Sequence, residues 1–118
     1  MKKIFIACDT TDPKKVKKII SQTKNNKIKI GYKFGLEFMN SKKGRNYLSN
    51  LKNKIIFVDL KLNDTVNTMK STIKALKDLK INYLTVHISS GFKALNEVKK
   101  ISGSIKIVGV TTLTSLND

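Results

Sequence analysis

Apolar positions along the chain follow two periods in alternation. Short runs rich in Ile, Val, Phe and Tyr at residues 4–8, 28–31, 55–60, 83–87 and 105–110 read as buried strands. Between them the apolar residues recur at helical spacing. Asp12 is an N-cap candidate with Pro13 at the first helical position, opening a helix with Val16, Ile19 and Ile20 on one face. Residues 41–51 place Tyr47, Leu48 and Leu51 on one side, and residues 64–79 do the same with Val66, Met69, Ile73, Leu76 and Leu79. A shorter helix is predicted over residues 92–101.

The resulting order, five strands alternating with four helices through short connections, calls for a parallel sheet covered by helices. Two α/β architectures satisfy it, a doubly wound open sheet and part of a (β/α)8 TIM barrel. The loop after the first strand, Asp9-Thr10-Thr11-Asp12, is neither a glycine-rich dinucleotide turn nor a P-loop. Five strands cannot close an eight-stranded barrel. On the barrel reading residues 1–118 are one partial barrel domain, the N-terminal half, ending after the fifth strand.

Composition changes this picture little. The formal net charge of +16 would suit nucleic acid or a membrane surface if it were clustered. The lysines instead fall mostly on the polar faces of the predicted helices, Arg45 is the only arginine, and no aromatic stacking platform accompanies them. Neither nucleic acid nor membrane is therefore expected as a partner. Cys8 is the single cysteine, which excludes a disulfide or a cysteine zinc site within one chain. Only a brief apolar stretch follows Met1-Lys2-Lys3, too short for a signal peptide, and no run approaches a membrane span. A cytoplasmic protein is expected.

The polar residues gather at predicted strand ends. Asp9 follows the first strand, Lys29 is read at the end of the second, Asp59 and Lys61 end the third, His87 ends the fourth and Thr114 follows the fifth. Active sites of parallel α/β folds form at the carboxyl ends of strands. In Asp59-Leu60-Lys61-Leu62-Asn63-Asp64 two carboxylates flank a lysine, and a period of two puts Asp59 and Lys61 on one side. A solvated strand end with idle charges fits the spacing equally well. Asp9 also reads as a turn or cap residue and Thr114 as a solvated loop hydroxyl.

The string Val58-Asp59-Leu60-Lys61-Leu62-Asn63-Asp64, followed by Asn67-Thr68, resembles the signature of orotidine 5'-phosphate decarboxylases, (F/L)-D-x-K-(F/L)-x-D-I-x-N-T. Ala7-Cys8-Asp9, Lys29-Ile30-Gly31, Leu84-Thr85-Val86-His87 and Val110-Thr111-Thr112-Leu113-Thr114-Ser115 resemble further family segments in order and spacing. Asn63 stands where many members have His, and Thr65-Val66 replaces a frequent Ile-Pro.

The resemblance implies decarboxylation of orotidine 5'-phosphate to UMP in pyrimidine biosynthesis, by a (β/α)8 homodimer with shared sites and without metal or organic cofactor. It implies Lys61 as proton donor, Asp59 beside the substrate carboxylate, and Asp64 reaching into the neighbouring subunit's site. Asp9 and Lys29 would bind ribose hydroxyls, Thr114 would approach the pyrimidine, and Asp59, Leu60, Lys61, Leu62, Asn63, Asp64, Thr65, Val66, Asn67 and Thr68 would line the pocket. The family's phosphate-gripping loops and lid have no counterpart before Asp118, so this stretch alone is expected to be inactive. The nearest rivals, 3-keto-L-gulonate 6-phosphate decarboxylase and hexulose-6-phosphate synthase, use Mg2+ and usually carry Glu after the second strand; Lys29-Ile30-Gly31 is read against them. A non-catalytic half barrel is the other alternative.

Overall fold

The computed structural model describes residues 2–111. Five strands, β1 (Lys3–Ala7), β2 (Lys29–Gly35), β3 (Ile55–Leu62), β4 (Tyr83–His87) and β5 (Lys106–Val110), pair in parallel, and their order across the sheet is their order along the chain. Helices α1 (Pro13–Gln22), α2 (Leu36–Asn40), α3 (Lys42–Asn50), α4 (Val66–Leu76) and α5 (Phe92–Ile101) connect them, with a 3-10 turn at Ile88–Ser90. A doubly wound sheet reverses its strand order at a switch point, whereas this one advances in one direction throughout. Right-handed crossovers then leave every helix on the same face. The fold is half of a (β/α)8 barrel.

Local chemistry accounts for the helix starts. Asp12 accepts a hydrogen bond from the Lys14 N–H at 2.9 Å ahead of Pro13, and Ser41 and Thr65 cap α3 and α4 through the N–H groups of Gly44 and Thr68. Each cap satisfies a donor that the first helical turn cannot pair, typically contributing about 1 kcal/mol.

Alternation along the strands separates two faces. Tyr32 and Phe34 of β2, Ile56 and Val58 of β3, and Leu84 and Val86 of β4 are buried in one core with Val16, Phe38, Leu48, Met69, Ile73, Leu76 and Val98 from the helices. Burying each large side chain there contributes roughly 1.5–3 kcal/mol. The intervening residues point to the other face. Near its amino end Phe5, Phe57 and Tyr83 form an aromatic cluster with ring centroids 5.2–5.8 Å apart. Gly31 makes room for it, because a Cβ there would stand 2.6 Å from the Phe5 ring.

The main departure from the sequence reading is in β2. The strand does not end at Gly31 but continues to Gly35, and α2, a helix too short to show a period, precedes the expected helix over 41–51. α4 is also shorter than residues 64–79, spanning Val66–Leu76.

Candidate active site

The carboxyl end of β3 is irregular. Phe57 and Val58 pair with Tyr83 and Leu84, but the next pairing is Leu62 with Val86, so residues 59–61 stand opposite Thr85 alone. Within this bulge Lys61 has φ +48°, a left-handed conformation costing of order 1–3 kcal/mol for a residue with a side chain. Three contacts hold it. The Lys61 N–H donates to Thr85 Oγ1 at 2.9 Å, Thr85 Oγ1 donates to Asp59 Oδ1 at 2.8 Å, and Lys61 Nζ donates to Asp59 Oδ2 at 2.8 Å. The contact between Asp59 and Lys61 expected from the pleat thus exists, but it is made across a bulge.

A second ammonium, Lys33 Nζ of β2, stands 3.7 Å from Asp59 Oδ2. Burial of Asp59, whose side chain is 14% exposed, pushes its carboxyl upward, but the hydrogen bonds from Lys61 and Thr85 and the charges of Lys61 and Lys33 outweigh it. The result is a carboxyl held below its ordinary range and therefore ionised at neutral pH. Two lysines against one carboxylate leave an excess positive charge, which suits an anionic ligand.

Lys33 corrects the placement of Lys29. Lys29 is the first residue of β2 and pairs with Lys3, at the amino end of the sheet, whereas Gly35 pairs with Asp59 at the other end. Lys29 lines a depression with Thr23, Asn25, Asn53 and Lys54, away from the carboxylate. The strand carries two Lys-x-Gly strings, Lys29-Ile30-Gly31 and Lys33-Phe34-Gly35, and the second reaches the site. Sequence reasoning also missed Thr85. Its signal was a hydroxyl between the apolar Leu84 and Val86, though only the bulge shows what that hydroxyl does.

The remaining candidates divide by location. Asp9 is exposed just beyond β1, where the Cys8 N–H donates to the Lys33 carbonyl at 2.8 Å, so it sits beside the carboxyl end of β2. Asp64 is exposed and makes no ion pair among the described residues. Asn63 Oδ1 accepts from Ser90 Oγ at 3.1 Å, tying the loop after β3 to the turn after β4. Leu62 is buried in the core beneath the helices, with Leu60 and Val66 packed against it. Thr65 and Thr68 are engaged in the cap of α4, Asn67 is exposed, and His87 ends β4 half-buried. Thr114 lies outside the described residues. Among the described residues no group of three or more His, Cys, Asp or Glu could hold a metal ion, and no helix is long and apolar enough to cross a membrane.

Residues 2–118 match the family model described as orotidine 5'-phosphate decarboxylase / HUMPS family. The orotidine 5'-phosphate decarboxylase of Wolbachia pipientis subsp. Culex pipiens is 39% identical over 122 residues, an alignment covering 100% of this chain and 53% of that relative. The one from Prochlorococcus marinus strain MIT 9215 is 35% identical, covering 98% of this chain and 50% of the relative. The crystal structure of the Lactobacillus acidophilus orotidine 5'-phosphate decarboxylase superposes with a TM-score of 0.77 at 28% identity, covering 98% of this chain and 55% of that one. The chain spans about half the length of the relatives it matches.

Proposed function

Because the chain belongs to the orotidine 5'-phosphate decarboxylase / HUMPS family, we propose that the full-length protein converts orotidine 5'-phosphate to UMP and CO2 in the cytoplasm. The observation that carries this reading is the Lys33–Asp59–Lys61 array, one ionised carboxylate between two ammoniums at the carboxyl ends of β2 and β3. Cleavage of the bond between C6 and the carboxylate leaves its electron pair on C6, with no conjugated sink for the charge. Fixed charges must therefore stabilise it. Lys61 faces the developing carbanion and gives C6 its proton, and solvent later reprotonates the amine. Asp59 lies beside the substrate carboxylate, where repulsion raises the ground state and favours loss of neutral CO2.

Lys33, rather than Lys29, takes the second ammonium position and, with Asp9, meets the ribose hydroxyls. A lysine at the end of β2 also favours this reaction over the Mg2+-dependent sugar-phosphate chemistry, whose enzymes usually carry Glu there. Exposed and unpaired among the described residues, Asp64 is free to extend across a homodimer interface toward Lys61 of the partner subunit. The test is loss of orotidine 5'-phosphate with stoichiometric release of CO2 by the full-length protein. Lys61→Ala is expected to abolish turnover while leaving the circular dichroism spectrum unchanged. Near-normal turnover by the folded variant, or Mg2+-dependent conversion of a ketose phosphate in place of orotidine 5'-phosphate, overturns the proposal.

A further inference from the structure

Thr85 sits in the middle of β4, 4% exposed, between Leu84 and Val86, which face the helix-side core. Its own hydroxyl points to the other face, and a buried hydroxyl needs partners for its proton and its lone pairs. Both come from the irregular end of β3. A backbone N–H can only donate and a carboxylate can only accept, so the directions are settled: Thr85 Oγ1 accepts from Lys61 N–H and donates to Asp59 Oδ1. In a regular parallel ladder a β4 carbonyl would take the Lys61 N–H. The register shift between Val58 and Leu62 leaves the threonine oxygen in that role. The same oxygen occupies Oδ1 of Asp59, which leaves Oδ2 to the two ammoniums at 2.8 and 3.7 Å.

We infer that Thr85 is a positioning residue for the reaction proposed above, coupling the backbone of Lys61 to the carboxylate of Asp59 so that ammonium and carboxylate are held in one geometry. The kinetic part of this inference rests on that reaction, while the structural part does not. Valine has nearly the shape of threonine without its hydroxyl, and serine keeps the hydroxyl without the methyl group.

Three full-length variants decide the matter, Thr85→Val, Thr85→Ser and Thr85→Ala, each assayed for kcat and KM and each titrated at Asp59 by carbon-13 NMR of the carboxyl group. Losing a hydrogen bond to a charged group should lower kcat about ten- to hundredfold in Thr85→Val. KM should change little, the Asp59 midpoint should rise, and Thr85→Ser should restore both. If Thr85→Val does not fold, Thr85→Ala against Thr85→Ser makes the same comparison at smaller volume. An unchanged Asp59 midpoint in the hydroxyl-free variants, or a serine variant as impaired as they are, overturns the inference. Should the wild-type protein turn over no orotidine 5'-phosphate, the proposed function fails, and the Asp59 titration still decides whether Thr85 positions the pair.

Discussion

Exchanging one lysine of β2 at a time for methionine separates the two Lys-x-Gly strings. Lys33 Nζ lies 3.7 Å from Asp59 Oδ2 with its side chain 38% exposed. At that distance a pair of unit charges is worth about 4.5 kcal/mol at an effective dielectric of ~20 and about 1.1 kcal/mol at that of water. The exposure of the ammonium brings the working figure toward the lower bound, about 1–2 kcal/mol, or roughly a six- to thirtyfold change in an equilibrium or rate. Lys29 begins the same strand four residues earlier, about 13 Å away at a rise of ~3.3 Å per residue. Beyond a Debye length of about 8 Å at physiological salt its influence on Asp59 falls below about 0.3 kcal/mol, less than a twofold effect. Lys33→Met should therefore raise the Asp59 midpoint in a carbon-13 titration and lower kcat/KM for orotidine 5'-phosphate by at least that six- to thirtyfold. Lys29→Met should leave both nearly unchanged. Equal effects from the two variants, or a larger one from Lys29→Met, would refute the placement of the site around Lys33.

Mixing full-length Asp64→Asn subunits with full-length Lys61→Ala subunits should regenerate activity absent from the Lys61→Ala homodimer, because a mixed dimer assembles one site with both wild-type groups; exchange shown by mass spectrometry without recovery excludes the shared site. Burial first, and then the neighbouring Asp9 charge, push the Cys8 thiol up to about 11, so the native protein should react with a disulfide reagent at pH 8 at least about a hundredfold more slowly than free cysteine. Rapid labelling before unfolding would contradict that environment. The depressed Asp59 carboxyl contributes stability that is fully present above its unfolded value near 4 and is lost as pH falls through the lower folded value. Denaturant titrations at successively lower pH should show a smaller acid-dependent loss for Asp59→Asn than for wild type.

Elements defined by local periodicity were legible before the fold was known. β4 and α5 match their expected spans, and α1 starts at Pro13 after the Asp12 cap. The signature from Asp59 to Asp64 was legible too, because its charges stand out against an apolar strand. Lys33 was not. Shifting along a strand by four residues leaves the same side facing the same way, so Lys29-Ile30-Gly31 and Lys33-Phe34-Gly35 satisfy one pattern equally.

By itself the sequence determined the alternation of strands and helices, the Asp12 cap of α1 and the pairing of opposite charges near the end of β3, since each depends on neighbours a few residues away. Only the tertiary structure decided that the strands advance in one direction across the sheet, that Gly35 rather than Gly31 stands beside Asp59, and that Thr85 bridges the bulge. Those outcomes are set by register between strands twenty or more residues apart. Register is chosen by packing summed over whole strands against the helices, and no single segment carries that information.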